Sequence, residues 1–171
     1  LLILTRIELD EHIRPTSIVN INELFETIIS NFEIVLKKKN ITVKNQLTDT
    51  SIVIGDEKRL NTVFSNLLDN SIKYSPENKN IYISKNENSN KLLEKNIMIS
   101  IKDEGYGIPQ EHISRVTERF YRVDTEQSKK AGGTGLGLAI MKHIITQHRG
   151  EFEILSKVDK GTEIRIYLPS K

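Results

Sequence analysis

Apolar residues recur along this chain at two spacings, and the spacing changes from segment to segment. Leu24, Phe25, Ile28, Ile29, Phe32, Val35 and Leu36 share one face of a helix over about Glu23 to Lys38, with Asn22 as its N-cap. Leu60, Val63, Phe64, Leu67, Leu68 and Ile72 repeat that pattern behind Asp56, a suitable cap, and Pro76 follows the end. Leu136, Ala139, Ile140, His143 and Ile144 predict a helix over Leu136 to His148, stopped by Gly150. Leu2, Leu4, Leu9 and Ile13 are in rough helical spacing ahead of Pro15. Shorter helical pieces are expected at Gln110 to Arg115 and Val116 to Tyr121.

Alternation with period two predicts strands at Ser17 to Ile21, Ile41 to Gln46, Ser51 to Ile54, Asn80 to Lys85 and Asn96 to Lys102. Two more, Glu151 to Ser156 and Thr162 to Leu168, are joined by a turn through Asp159-Lys160-Gly161. Asn86 to Asn96 reads as a polar hairpin loop. Asp124 to Gly133 is polar, then glycine-rich, and shows no periodicity. Helices interleaved with mostly antiparallel strands predict an α+β fold, a two-layer sandwich.

The helix behind Asp56 carries an unusual free face. Asn66, Asn70 and Lys73 fall at i, i+4 and i+7 and line one stripe opposite the apolar side. A solvated face would normally mix charges. This one offers two carboxamides and an ammonium, aimed the same way. A carboxamide oxygen can ligate a hard cation such as Mg²⁺, and an ammonium suits a phosphate.

Composition narrows the class without choosing a function. The chain has 171 residues, 37% hydrophobic and 28% charged, enough for one domain with a real core. A net charge of +2 is too balanced to argue for nucleic acid. There is no cysteine, which excludes disulfides and thiolate metal sites. No apolar run approaches a membrane span. A start without Met, inside an apolar pattern, is expected of a piece of something longer.

Two glycine motifs add chemistry. Asp103-Glu104-Gly105-Tyr106-Gly107-Ile108 follows directly on a strand. Its glycines allow a sharp turn and a close ligand approach, and Asp103 could accept a hydrogen bond from an exocyclic amine such as that of adenine. Gly132-Gly133-Thr134-Gly135-Leu136-Gly137-Leu138 opens a helix, where free backbone N–H groups and the helix dipole favour phosphate. Between them, Arg119-Phe120-Tyr121-Arg122 could anchor a mobile segment and bring an arginine to a γ-phosphate.

In combination these motifs are far more specific. The order asparagine-bearing helix, Asp-x-Gly-x-Gly-Ile, Arg-Phe-Tyr-Arg, Gly-Thr-Gly-Leu-Gly-Leu and Gly161-Thr162 resembles the ATP-binding catalytic domain of bacterial sensor histidine kinases, over roughly Ser17 to Pro169. Thr117 to Asp124 is similar to the phosphate-regulon sensor kinases in particular. The resemblance implies a Bergerat-type fold: a mixed sheet with helices on one face and ATP between helices and a lid. It implies that Asn70 ligates Mg²⁺ and that Asn66 and Lys73 lie at the phosphates. Tyr74 would pack on adenine, Asp103 would take its amino group, and Gly105, Gly107 and Ile108 would shape the base pocket. Gly133, Thr134, Gly135, Leu136 and Gly137 would hold phosphate, Arg122 would begin the lid, and Thr162 would lie at the adenine end.

Related ATPases that hydrolyse ATP rapidly place a glutamate one helical turn before the metal-binding asparagine. Asn66 occupies that position here and cannot act as a general base at neutral pH. The resemblance therefore implies transfer to a histidine, relayed to a response regulator. His12-Ile13-Arg14-Pro15 only half matches the acceptor motif, so the acceptor is expected upstream of this chain. Residues 1–14 read as the end of the dimerisation and phosphoacceptor helix, and 15–171 as the catalytic domain. The fragment is expected to be monomeric, from a homodimeric parent set in the inner membrane with this domain in the cytoplasm. The alternative is a nucleotide-binding regulatory module, either an anti-sigma-type serine kinase or a degenerate kinase.

Overall fold

The computed structural model describes residues 2–9, 12–86 and 96–170. The chain runs α1 (Leu2–Leu9), β1 (Ile18–Asn20), α2 (Ile21–Asn31), α3 (Glu33–Lys39), β2 (Thr42–Asn45), β3 (Ile52–Ile54) and α4 (Glu57–Lys73). It continues through β4 (Asn80–Asn86), β5 (Asn96–Asp103), α5 (Gln110–Ile113), α6 (Glu126–Ala131), α7 (Gly137–Gln147), β6 (Glu151–Lys157) and β7 (Gly161–Pro169). The loop expected within Asn86 to Asn96 falls largely outside the described residues.

Five strands form one sheet in the order β2-β4-β5-β7-β6. Strands β2 and β4 run parallel, and the other pairs are antiparallel. A small ribbon of β1 and β3 is tied on by a bridge between Val53 and Ser170. The register explains the core. Ile83, Ile101, Ile164 and Ile154 stand opposite one another in a row across four strands. Because side chains alternate between faces, every second residue of β5 (Ile97, Ile99, Ile101) is buried on the same side. Phe25 of α2 and Phe64 of α4 meet over this face with ring centroids 4.7 Å apart, and both are fully buried. Burying each such ring contributes roughly 2–3 kcal/mol. The expected α+β architecture, a mixed sheet covered by helices, is the one observed.

Helix α4 is set at both ends. The Asp56 side chain accepts from the Arg59 N–H at 2.9 Å at its start. At its end, Lys39 Nζ donates to the carbonyls of Ile72 (2.6 Å) and Ser75 (2.7 Å), groups a helix C-terminus leaves without partners. Burial lowers the Lys39 pKa, with the neighbouring Glu77 charge acting in the opposite direction.

Several expected elements differ. The helix over residues 23 to 38 is two helices, divided at Phe32, whose N–H is shared between the carbonyls of Ile28 (3.3 Å) and Ile29 (3.1 Å). Its cap is Asn20, which accepts from the N–H groups of Asn22 and Glu23. Asn22 is turned inward, donating to Asp49 and accepting from Asn45. Residues 116–121 form turns rather than a helix, because Phe120 takes a left-handed φ of 61° and bonds to the Gly135 carbonyl. The stretch expected to lack structure contains α6: Thr125 caps it, Glu126 lies in its first turn, Lys129 and Lys130 in its last, and Gly132 ends it. Helix α7 ends at Gln147; Arg149 rather than Gly150 takes the left-handed conformation, and the Gly150 N–H closes the end on the Ile145 carbonyl at 2.9 Å.

Candidate functional site

Asp103 is the last residue of β5 and shares its face with Ile97, Ile99 and Ile101. The alternation that buries those isoleucines therefore turns a carboxylate under the helical layer. One oxygen, Oδ1, accepts from the N–H groups of Gly105 (2.9 Å) and Thr162 (3.1 Å). Burial raises the Asp103 pKa above the usual carboxylate value. The Gly105 and Thr162 N–H groups and the Ser71 side chain oppose that rise. A buried carboxylate held this way has acceptor capacity and no donor when ionised.

Asp103 lies in a cavity of about 550 Å³. Helix α4 lines one wall with Asn66, Asn70, Lys73 and Tyr74. The turn after β5 adds Tyr106, Gly107 and Ile108, and β7 adds Thr162. The opposite side is Arg122 and the run from Gly132 to Leu138. The residues given ligand roles from the sequence line this cavity except Gly105, which reaches it through its bond to Asp103; Arg119, Phe120 and Gly161 of the motifs do not line it.

Two glycines are dictated by this packing. Gly107 has φ +74°, and a Cβ there would lie 2.1 Å from the Lys157 carbonyl, so the turn after β5 presses on the β6–β7 turn. Gly135 has φ +73°, and a Cβ there would strike the Phe120 backbone. The glycine loop thus rests on the aromatic segment before it. Helix α7 begins at Gly137 with no side-chain cap, within 3.8 Å of the Asn66 side chain measured from where a Cβ would be. Its first N–H groups stay available to an anion.

The charged residues are held in place. Lys73 pairs with Asp69 at 2.7 Å; both are more than a third exposed, so the pair adds little stability. Arg122 donates to the carbonyl of Gly132 at 3.1 Å and to that of Ser128, clasping α6. Tyr121 hydrogen-bonds His112 through its hydroxyl, and the Arg115 guanidinium stacks on its ring at 4.5 Å. Glu104 accepts from the Asn80 N–H at 2.9 Å, a structural use for the acid next to Asp103 in the chain, while Asp69 and Asp159 also line the cavity. Among the described residues no group of three or more His, Cys, Asp or Glu could hold a metal. Sequence reasoning missed Ser71 and Ser156. Ser71 lies next to Asn70 on α4, and its contact with Asp103 depends on how the helix sits over β5.

A pocket between a layer of helices and a mixed sheet, with a buried carboxylate at one end and a glycine-rich helix start at the other, defines a nucleotide-binding ATPase domain. Residues 55–171 match the family described as histidine kinase-, DNA gyrase B-, and HSP90-like ATPase, and the chain belongs to it. It is 37% identical over 154 residues to the sensor histidine kinase WalK of Bacillus subtilis (strain 168), covering 90% of this chain and 24% of that protein. It is 33% identical over 162 residues to the phosphate regulon sensor protein PhoR of Pseudomonas aeruginosa, covering 95% of this chain and 35% of that protein. The solved mycobacterial sensor histidine kinase MprB superposes with a TM-score of 0.72 at 28% identity, over 91% of this chain and 98% of that one. The chain thus spans about a quarter to a third of the length of those two curated relatives. No helix among the described residues is long and apolar enough to cross a membrane.

Proposed function

We propose that this chain is the catalytic domain of a two-component sensor histidine kinase. It binds ATP in the cavity beneath α4 and α7 and donates the γ-phosphoryl group to a histidine on a separate dimerisation and phosphoacceptor domain, for relay to a response regulator. The observation that carries this reading is the convergence of Asn66, Asn70, Asp103 and the glycine-led start of α7 on one cavity, with a carboxamide at position 66. A hydrolase of this fold would need a carboxylate there to activate water. Glu104, bound to the Asn80 backbone, is not placed as a substitute.

The residues fit the substrate and its cation. Asp103 offers an acceptor to an adenine amine, and Tyr74 and Ile108 line the same end of the cavity. The N–H groups at the start of α7 face the place for phosphates, with Lys73 and Asn66 beside them. Asn70 supplies one oxygen toward a cation, which suits Mg²⁺, a metal that usually keeps several waters and binds phosphate oxygens. Bound there, Mg²⁺ would neutralise charge developing on the transferring phosphoryl group. Arg122, clasping α6 through its carbonyls, sets the position of the lid over that group.

Helix α1 buries Leu4 and Ile7 and packs against α7, which supports reading residues 1–14 as the end of the preceding dimerisation helix, with residues 15–171 the catalytic domain. The parent is then a homodimer, set in the inner membrane with this domain in the cytoplasm. A solved complex of the similarly folded histidine kinase ThkA with the response regulator TrrA supports a regulator as second partner.

The test is phosphotransfer from γ-labelled ATP with Mg²⁺, with and without a separately made acceptor domain from the parent. Acid-labile, base-stable label on the acceptor domain alone is the expected result. ATP binding without any transfer would overturn the kinase reading in favour of a regulatory nucleotide-binding module.

A further inference from the structure

Each residue of Arg119-Phe120-Tyr121-Arg122 is tied to a different part of the molecule. Tyr121 is held by His112 of α5, and Arg122 by the carbonyls of Ser128 and Gly132. The Phe120 N–H donates to the Gly135 carbonyl at 3.0 Å. Arg119 reaches back to the start of the chain, where its guanidinium pairs with Glu8, the only acidic residue of α1.

Glu8 joins three segments. The oxygen that meets Arg119 also lies 3.4 Å from His143 Nε2 on α7. Helix α1 lies lengthwise against α7. Ile3 lines the cavity at which α7 begins, Glu8 stands at His143, and the Ile13 carbonyl accepts from Gln147 Nε2 at 3.1 Å. Leu4 and Ile7 bury the apolar side of that seat. Glu8 is the residue that carries the seat across to the segment under the glycine loop.

Phe120 is the strained member of that segment. Its φ is +61°, yet its ring is 59% exposed, so burial of its own side chain does not hold it there. A left-handed aromatic residue persists only where its surroundings over-determine it. Here they are Arg119, anchored on Glu8, and Gly135, which has no Cβ to strike the Phe120 backbone. The Arg119 carbonyl and the Phe120 N–H belong to one planar peptide unit. Anchoring Arg119 therefore restrains the N–H that Gly135 accepts.

We propose that Glu8 is a positioning residue that, through Arg119 and the Phe120 peptide, holds the glycine loop in its phosphate-binding shape, so that the seat of α1 on α7 governs affinity for a nucleoside triphosphate. This rests on the reading that the run from Gly133 to Gly137 takes the phosphates. The coupling is reciprocal: a nucleotide bound at the loop tightens the seat of α1.

The experiment is calorimetric titration of the chain with ATP and Mg²⁺, with NMR amide exchange at Phe120 and thermal melting alongside. Glu8→Gln should weaken ATP about fivefold, the low end of coupling between linked sites, because the ion pair is partly exposed. Exchange of the Phe120 amide should accelerate in the same variant. Glu8→Arg should weaken ATP further by setting two cations face to face. Joined with Arg119→Glu, which re-forms the pair with its charges reversed, it should restore both ATP affinity and slow exchange. Losses that merely add in the double variant would overturn the inference. So would a double variant that recovers its melting temperature without its ATP affinity, since that is the mark of a purely structural pair. Should Glu8→Arg not fold, Glu8→Gln decides: unchanged ATP affinity overturns the inference while leaving the nucleotide site standing. Failure of the unmodified chain to bind ATP would overturn the nucleotide reading and this inference with it.

Discussion

His148, just past the end of α7, holds Asp56, the cap of α4: its Nε2 accepts from the Asp56 N–H at 2.9 Å. Its Nδ1 lies 2.7 Å from the Ile144 carbonyl, so the proton sits on Nδ1 and the ring is neutral. The two helices that line the nucleotide cavity are thereby joined through one buried imidazole. Burial lowers the His148 pKa, with the Ile144 carbonyl and the Asp56 charge acting in the opposite direction.

A stability change with pH follows. The native ring binds its proton less readily than the unfolded one, whose pKa is about 6.5. Its stabilising contribution is therefore complete above that value. It declines as pH falls below about 6.5 toward the lower native pKa, where the unfolded state binds more protons. Melting temperature measured from pH 8 to pH 5 should drop across this window, and His148→Leu should flatten that part of the curve. An identical slope in the variant would remove His148 from the account.

Lys39→Met should cost about 1–3 kcal/mol of unfolding free energy, because it leaves the Ile72 and Ser75 carbonyls at the end of α4 without their donor. Urea denaturation of the variant checks this. A cost below about 0.5 kcal/mol would mean that water replaces the ammonium there.

Asn70→Ala should abolish Mg²⁺-dependent ATP binding and leave the circular dichroism spectrum unchanged. The residue lines the cavity on a helix held by its opposite, apolar face, so the carboxamide can be removed without disturbing the core. ATP binding that keeps its Mg²⁺ dependence would refute the metal-ligand role.

Asp103→Asn should weaken adenine nucleotides by about tenfold or more, while guanine nucleotides change less. The variant keeps an acceptor for Gly105 and Thr162 but can place a donor where the amine needs an acceptor. It should also leave the empty fold as stable or more so. The native carboxyl has a raised pKa, so ionising it costs stability as pH rises through that pKa, and the amide removes this cost. Equal losses for adenine and guanine nucleotides would count against base reading by Asp103.

Much of the fold was legible because its signals are local. The Asp56 cap, the stripe of Asn66, Asn70 and Lys73, and the apolar row from Leu60 to Ile72 all lie within one helix. Helix α6 was not read from the sequence: the Thr125 cap, Glu126, Lys129 and the Gly132 stop mark it, but its lack of an apolar period concealed it. The break at Phe32 was not legible, since the apolar spacing runs through it undisturbed. The sequence reading placed the cap at Asn22, and the structure places it at Asn20. What separates them is Asn45 and Asp49, which draw Asn22 inward from other elements.

The sequence by itself determined most of the strands and the long helices, the apolar faces and the short motifs whose residue types suit phosphate, cation and amine. Periodicity, capping and glycine turns act over a few residues, so they are readable in order along the chain. Only the tertiary structure decided which polar groups satisfy which. His148 meets Asp56 across 92 positions, and Ser156 meets Ile108 across 48. A buried donor or acceptor must find a partner wherever packing leaves one, and that partner is chosen by the register of β5, β6 and β7 and the seat of α4 over them, not by neighbours in the chain.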